Sequence, residues 1–144
     1  MNPRNYQREL DSLLKKQSGK KTLLLHCCCA PCSSYVLEYL HEYFDITVLF
    51  YNPNISEQAE YDKRKQELIR YIHTVSYGNT VQWIDCDHEP EKFEAAMKGS
   101  RNGENGVTVV IIYGFLIRLR WQKKAGMIIF VLPCRSVPTK MQTG

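Results

Sequence analysis

Hydrophobic residues along 1–99 recur with two different periods, and the alternation of these periods predicts alternating helices and strands. Short apolar runs bounded by turn residues are typical of buried strands, whereas apolar positions that recur once per helical turn are typical of helices with one buried face. The predicted elements, in chain order, are a helix at 5–17, a strand at 22–26, a helix at 33–44, a strand at 46–51, a helix at 57–75, a strand at 81–84 and a helix at 90–98. Strands that alternate with helices in this way predict an α/β domain with a parallel, Rossmann-like sheet.

The first two predicted helices each present large apolar side chains at helical spacing. The set on the first helix is Tyr6, Leu10, Leu13 and Leu14, and the set on the second is Tyr35, Tyr39, Tyr43 and Phe44. Because a regular apolar stripe is more often a core face than a ligand surface, we expect both sets to pack mainly inside the domain.

A dense cysteine cluster directly follows the first predicted strand. Cys27, Cys28, Cys29 and Cys32 fall within six residues, just before and at the start of the next helix. The carboxyl ends of strands are where open α/β sheets bind ligands. Adjacent cysteines do not easily form a disulfide with each other, whereas both thiols can turn toward one metal ion or cluster. The loop therefore predicts metal or redox chemistry.

Composition indicates one globular domain in a reducing compartment. The chain has 144 residues, of which 44% are hydrophobic and 24% charged, which favours a folded core over disorder. Its apolar runs are all shorter than the roughly 18 residues of a membrane span, and residues 1–21 are too polar for a signal peptide. We therefore expect a cytoplasmic protein without membrane attachment, in which six cysteines serve metal or redox chemistry rather than disulfides.

The charge balance changes at Gly99. Residues 1–99 carry 12 Lys and Arg against 14 Asp and Glu, whereas residues 100–144 carry 7 against 1, so the net charges are −2 and +6. The apolar runs 107–112 and 127–132 predict two strands separated by a basic segment. Such a basic segment is typical either of nucleic-acid affinity or of a solvated surface. We accordingly divide the chain into 1–99 and an anomalous tail, 100–144.

Three segments of residues 1–99 resemble the QueH-type epoxyqueuosine reductases. They are Leu-Leu-Leu-His-x-Cys-Cys-Ala-Pro-Cys-Ser-Ser at 23–34, Phe-Tyr-Asn-Pro-Asn-Ile at 50–55, and Glu-Tyr-x-x-Arg at 60–64 followed by Glu67. Their order and spacing are also those of the family. The resemblance implies a three-layer, HUP-like α/β fold and a tRNA-modifying oxidoreductase that reduces epoxyqueuosine to queuosine.

The resemblance also implies a cofactor, partners and site residues. In the family, a [4Fe–4S] cluster is bound by two adjacent loop cysteines, here Cys28 and Cys29, and by a later Cys-x-x-Cys pair. Soft thiolate ligands suit such clusters, and low-potential electrons suit epoxide reduction. The implied partners are tRNA carrying epoxyqueuosine and an electron donor. The substrate-binding candidates are Tyr51, Asn52, Asn54, Tyr61 and Arg64.

Individual residues of the cysteine motif have both structural and functional interpretations. Cys32 lies near a predicted helix N-terminus, which stabilises a thiolate, so it is a candidate catalytic redox thiol or an additional ligand. Strand alternation directs Cys27 into the core as a small hydrophobe. His26 is expected to form a structural hydrogen bond, although its place in the motif makes it a candidate catalytic residue.

Other candidates have equally plain structural interpretations. Tyr61 and Arg64 lie one helical turn apart, which is typical of surface packing with an ion pair to Glu60 or Glu67. The turn at 52–54 is predicted by composition alone. Cys86 lies between two aspartates, whose negative charge disfavours a thiolate, so we predict an unreactive thiol.

The second cysteine pair that the family pattern requires does not follow Gly99. When the third base of each codon is read with the first two bases of the next, Gly106-Val107 and Val109-Val110 both admit cysteine, at Cys-x-x-Cys spacing. In the same shifted frame, 127–141 admits the family-like stretch Asp-Tyr-Phe-x-Thr-Thr-Leu-Ser-x-Ser-Pro-Tyr-Lys-Asn. We therefore interpret 100–144 as a frameshifted tail that leaves the sheet incomplete at its C-terminal end.

The alternative to a tRNA-modifying reductase is a thiolate module that binds a metal or iron–sulfur cluster without turnover.

Overall fold

The computed structural model describes residues 5–98 and 128–131, and these form a parallel sheet with helices packed against it. The elements are α1 (Tyr6–Lys16), β1 (Lys21–His26), α2 (Ala30–Leu40), β2 (Phe44–Phe50), α3 (Gln58–Thr74), a short 3-10 turn (Gly78–Thr80), β3 (Gln82–Asp85), α4 (Pro90–Lys98) and β4 (Ile128–Val131). All seven elements predicted within 5–98 are present, with ends shifted by a few residues.

The sheet has the strand order β3-β2-β1-β4, and every described pair is parallel. The chain moves from β1 to β2 to β3 in one direction, and β4 then lies on the opposite side of β1. The strand order therefore reverses between β1 and β4, and such a reversal opens a crevice at the carboxyl ends of the two strands. This topology confirms the predicted Rossmann-like α/β fold.

The central strands are buried on both faces, which explains their nearly continuous apolar sequences. One face packs against the helices through side chains of β1 and β2 together with apolar residues of α1, α2 and α3. This cluster includes Leu14, Leu23, Leu25, Leu37, Leu40, Ile46, Val48, Phe50, Leu68 and Ile72. The opposite face contains Leu24, Leu49 and Tyr51, which are also buried. Each fully buried leucine contributes about 2 kcal/mol through removal of its side chain from water.

Helix α2 begins earlier than predicted and ends before the aromatic stripe is complete. It starts at Ala30 because Pro31 fits the first helical turn and Cys29 adopts the extended backbone of a capping residue. The prediction that its aromatic residues lie mainly in the core is wrong for Tyr35, which is 66% exposed and stacks on Tyr39 on the outer surface. The stripe thus faces partly outward.

Helix α1 contacts the core along a narrower stripe than its sequence predicts. Leu14 is buried and Leu10 packs against the core, but Tyr6 and Leu13 are 70% and 66% exposed. The helix begins after Asn5, whose side-chain oxygen accepts a hydrogen bond from the Arg8 N–H at 3.1 Å. Leu10 and Leu14 therefore hold α1 against the core, and the Asn5 cap stabilises the start of the helix.

The tail contributes one described strand. The prediction of a strand within 127–132 is confirmed by β4, which pairs with β1 from Leu23↔Ile128 to His26↔Val131. The strand predicted at 107–112, the remainder of 100–144 and the expected incompleteness of the sheet lie outside the described residues.

Candidate thiol site at the sheet edge

The cysteine loop leaves β1 at the point where the strand order reverses. Its first residue, Cys27, continues the strand by donating its backbone N–H to the Leu49 carbonyl at 3.0 Å. The loop then turns directly into α2, which begins at Ala30. The predicted location of the cysteines, at the carboxyl edge of the first strand, is therefore confirmed.

Three thiols of the loop come together. The sulfur atoms of Cys28 and Cys29 are 3.7 Å apart, and those of Cys28, Cys29 and Cys32 all lie within 4.8 Å of one another. Cys28 is buried, Cys29 is half-buried and Cys32 is exposed, so the cluster spans the boundary between loop and solvent. A tetrahedral ion with metal–sulfur bonds of about 2.3 Å separates its sulfur ligands by about 3.8 Å. These three thiols are therefore spaced to hold a thiophilic metal ion.

Cys27 does not join this cluster. Its side chain is fully buried within the core packed against the helices. Burial raises the pKa of the Cys27 thiol to about 12, because desolvation disfavours the thiolate. The prediction that Cys27 acts as a small hydrophobic residue is confirmed.

Two buried polar side chains hold the backbone of the loop. The Asn52 amide donates to the Cys27 carbonyl at 3.0 Å, and the Ser33 hydroxyl donates to the Cys29 carbonyl at 2.8 Å. Both side chains are almost inaccessible to water. Ser33 was not among the candidate site residues, since a serine in the first turn of a helix is common and its sequence context does not reveal its hydrogen-bond acceptor.

His26 links the ends of the two central strands. Its Nε2 atom lies 2.6 Å from the Tyr51 carbonyl oxygen. Since a carbonyl only accepts hydrogen bonds, Nε2 carries the proton in this contact. The expected structural hydrogen bond of His26 is thus present, and its catalytic role stays a prediction.

The residues predicted to bind substrate occupy different environments. Tyr51, Asn52 and Tyr61 are buried, whereas Asn54 is exposed. The Tyr61 hydroxyl donates to the Cys86 carbonyl at 3.1 Å. Arg64 forms the ion pair with Glu60 that the sequence allowed, at 2.6 Å. Within this set, the Tyr51 carbonyl accepts the hydrogen bond from His26 at the end of β1, and the Asn52 amide donates to the cysteine loop.

Cys86 lies at the carboxyl end of β3, away from the thiol cluster in strand order. Its pKa is raised to about 11, first by burial and then by the charges of Asp85 and Asp87. The predicted direction is confirmed, although burial is a larger cause than the flanking aspartates.

Nearby, the ring of His88 stacks on Tyr61 at 4.1 Å and its Nδ1 atom lies 2.6 Å from Gln58 Oε1. Sequence reasoning missed His88, because its partners are distant in the chain.

A cavity of about 440 Å³ borders the first turn of α2, next to the cysteine loop. Its lining residues come from α2 and α3 and are Ala30, Pro31, Ser34, Glu67, Arg70, Tyr71 and Thr74. The lining thus combines apolar side chains with charged groups of both signs.

Among the described helices, none has the length and apolar character needed to cross a membrane.

Comparison with known proteins gives a consistent result. A family model described as "Epoxyqueuosine reductase QueH" matches residues 23–125. Proteins named epoxyqueuosine reductase QueH from Streptococcus pyogenes serotype M1 and Histophilus somni are 37% and 36% identical over 114 residues, covering 74% and 78% of this chain and 45% and 44% of those proteins. One from Staphylococcus epidermidis is 36% identical over 94 residues, covering 62% of this chain and 40% of that protein.

The chain spans less than half the length of these curated relatives. No solved structure matches it. Since the family match covers well over half of the sequence, including the whole cysteine loop, the chain belongs to the epoxyqueuosine reductase QueH family.

Proposed function

We propose that this chain carries the thiol-bearing part of an enzyme that reduces epoxyqueuosine to queuosine in tRNA. The observation that carries the proposal is the convergence of Cys28, Cys29 and Cys32 at the point where the strand order reverses. A crevice at this position is where folds of this class bind ligands. The family membership supplies the reaction, since the matched relatives are named epoxyqueuosine reductases.

In this proposal Cys28 and Cys29 are two of the four thiolate ligands of a [4Fe–4S] cluster. Such a cluster supplies low-potential electrons one at a time, which suits reduction of an epoxide by an external electron donor. The remaining two ligands would come from a Cys-x-x-Cys pair, which the sequence after Gly99 lacks as written.

The remaining site residues are assigned according to their exposure. Cys32 is the exposed thiol of the cluster and is proposed as the redox thiol that substrate reaches, with His26 as a second catalytic group. Asn54 and Arg64 reach the surface and are proposed to contact tRNA. The buried residues Tyr51, Asn52 and Tyr61 would contribute by shaping the site from beneath.

We further propose that 100–144 is read in a shifted frame. Support comes from the change of net charge from −2 to +6 and from the family-like residues that the shifted codons admit. The family model also matches residues 100–125 of the sequence as written, and this observation speaks against a change of frame at Gly99 itself. Sequencing of the coding DNA from codon 95 onward tests this proposal, and codons that exclude cysteine at both Gly106-Val107 and Val109-Val110 would refute it.

The test of function compares this chain with a frame-corrected and extended chain. After anaerobic reconstitution, we expect the corrected chain to hold iron and sulfide in equal amounts and to convert epoxyqueuosine to queuosine, measured by mass spectrometry of tRNA nucleosides. Cys28→Ser and Cys29→Ser should abolish both properties, whereas Cys86→Ser, at the distant thiol, should preserve them. Full cluster occupancy in the Cys28→Ser, Cys29→Ser double variant would contradict the assignment.

The sulfur spacing favours a second candidate, a thiolate module that binds one metal ion without turnover. Sulfur atoms 3.7 Å apart match the ligand spacing of a single tetrahedral ion. This candidate predicts one Zn²⁺ per chain, bound without sulfide and lost in the Cys28→Ser variant. Iron with an equal amount of sulfide in the reconstituted chain would exclude it.

A further inference from the structure

Both backbone carbonyls that flank the Cys28–Cys29 step are held by buried side chains. Asn52 donates to the carbonyl that precedes Cys28, and Ser33 donates to the carbonyl of Cys29. We infer that Asn52 and Ser33 are positioning residues, which fix the loop so that the thiols of Cys28 and Cys29 point toward one metal centre. This inference rests on the proposal that these cysteines bind metal, and not on reductase activity.

Asn52 is well placed for this role because it is itself immobilised. Its side chain is only 3% exposed, and its backbone carbonyl accepts a hydrogen bond from the Ile55 N–H at 3.1 Å, which closes the turn after β2. The amide therefore reaches the Cys27 carbonyl from the hydrogen-bonded turn that follows the neighbouring strand β2. Without the amide, that buried carbonyl would lose its side-chain donor.

Ser33 acts on the other side of the step from within α2. Its hydroxyl is fully buried and bonds back to the carbonyl of the residue that caps the helix, Cys29. The structure describes no hydrogen bond from the Cys29 side chain to the helix backbone, so this thiol does not serve as the cap. The serine thus orients the peptide unit while the Cys29 sulfur lies 3.7 Å from the Cys28 sulfur.

The two contacts have a common physical consequence. Metal binding requires both thiols to lose their protons, and two adjacent thiolates repel each other unless both face the metal. Fixing the peptide units before Cys28 and after Cys29 restricts the directions of the two Cα–Cβ bonds. The ordering of the ligands is then achieved when the chain folds, and less free energy is lost when metal binds.

The composition of the buried polar set supports this inference and supplies a control. Within 5–95, the buried polar side chains are Ser33, Thr47 and Asn52. Two of these three contact the cysteine loop. Thr47 is equally buried, but it lies in the interior of β2, where it is paired with Leu24 and Gln82 of the neighbouring strands. Thr47→Val therefore perturbs a buried polar site without removing a loop contact.

The test is an anaerobic titration of the full chain with Co²⁺, whose absorption reports both the number and the geometry of thiolate ligands. Asn52→Ala and Ser33→Ala are expected to weaken Co²⁺ binding by about tenfold each and to change the thiolate–cobalt absorption bands. Thr47→Val should keep the original affinity and spectrum even if its melting temperature falls as far as that of Asn52→Ala or Ser33→Ala. Asn52→Asp, which keeps the size but loses the donor, should resemble Asn52→Ala.

Two results would overturn the inference. One is an Asn52→Asp or Ser33→Ala chain that folds and binds Co²⁺ with the original affinity and spectrum. The other is a loss of affinity in Thr47→Val equal to that in Asn52→Ala, which would indicate general destabilisation. If Asn52→Ala does not fold, Asn52→Asp and Ser33→Ala decide between the outcomes. Failure of the metal-site proposal is recognised separately, because Co²⁺ binding would then survive in the Cys28→Ser, Cys29→Ser double variant.

Discussion

Burial determines which of the described cysteines are chemically available. Cys27 and Cys86 have raised pKa values, about 12 and about 11, because the protein interior disfavours their thiolates. Cys32, by contrast, is exposed on the first turn of α2 beside the other two thiols of the cluster. Cys27 thus differs in thiol chemistry from its neighbours Cys28, Cys29 and Cys32, because its side chain points into the core whereas theirs point toward one another.

This difference predicts a pattern of alkylation. At pH 8, iodoacetamide should modify Cys32 first and should leave Cys27 and Cys86 largely unmodified. A rise of the Cys86 pKa from 9.0 to about 11 lowers its thiolate fraction by about 100-fold at that pH. Because the pKa of Cys86 is raised to about 11, its thiolate forms and its reactivity rises as the pH is increased through 11. Mass spectrometry of tryptic peptides after timed alkylation measures the order.

The control for this prediction is the same reaction in denaturing urea, where all the cysteines should react at similar rates. Alkylation of Cys86 as fast as Cys32 in the folded chain would contradict the explanation.

At the scale of elements, the end of α3 is held by a compact group of contacts. The Tyr71 hydroxyl donates to the Ser34 carbonyl at 3.2 Å and lies 3.0 Å from the Tyr77 hydroxyl. The Tyr77 ring in turn stacks on His41 at 4.0 Å. These contacts bring the segment after α3 against α2, and so they help to place the helix that begins at the cysteine loop. Gly78 allows the chain to turn back closely at this point.

Gly78→Ala is predicted to be strongly destabilising. A Cβ atom at Gly78 would lie 1.6 Å from the Ile72 backbone oxygen, which has no freedom to move away. We expect the free energy of unfolding to fall by at least about 2 kcal/mol. Urea denaturation, read by circular dichroism, measures this change.

The matched variant is Gly19→Ala. Gly19 has φ +71° but open space around its Cα, so the substitution should cost only about 1–2 kcal/mol through backbone strain. The explanation fails if Gly78→Ala is no more destabilising than Gly19→Ala.

At the scale of the whole molecule, the location of the site depends on β4. The strand order reverses beside β1 only because β4 of the tail pairs with it on the side opposite β2. The same pairing covers the edge of β1 from Leu23 to His26. An uncovered apolar strand edge invites association with other chains.

Truncation after residue 99 is therefore expected to produce aggregation. The shortened chain would lack β4, so light scattering after size-exclusion chromatography should reveal large species, and the melting temperature should fall by several degrees. A chain truncated after residue 132 keeps β4 and is the appropriate control. Equal behaviour of the two truncated chains would show that the pairing of β4 with β1 contributes little.

The sequence alone determined the elements, their order and the position of the thiol site. Local patterns carry this information, since apolar runs such as 22–26 specify buried strands and Pro90 specifies the start of α4, which the structure places at the predicted residue. The cysteine motif likewise lies within a single segment, so its location was recognisable from 23–34, and its family from that segment together with those at 50–55 and 60–67.

Only the tertiary structure decided which side chains meet across the chain. The hydrogen bond from Asn52 to Cys27, the position of β4 beside β1 and the outward orientation of Tyr35 all depend on packing between segments that are distant in sequence. The Asn-Pro-Asn sequence predicts a turn, but it does not predict that the Asn52 amide donates to the Cys27 carbonyl. That partner depends on how the ends of two neighbouring strands approach each other in the fold. The physical reason is that short-range sterics and hydrophobic periodicity act along the chain, whereas burial and polar pairing are determined by the folded whole.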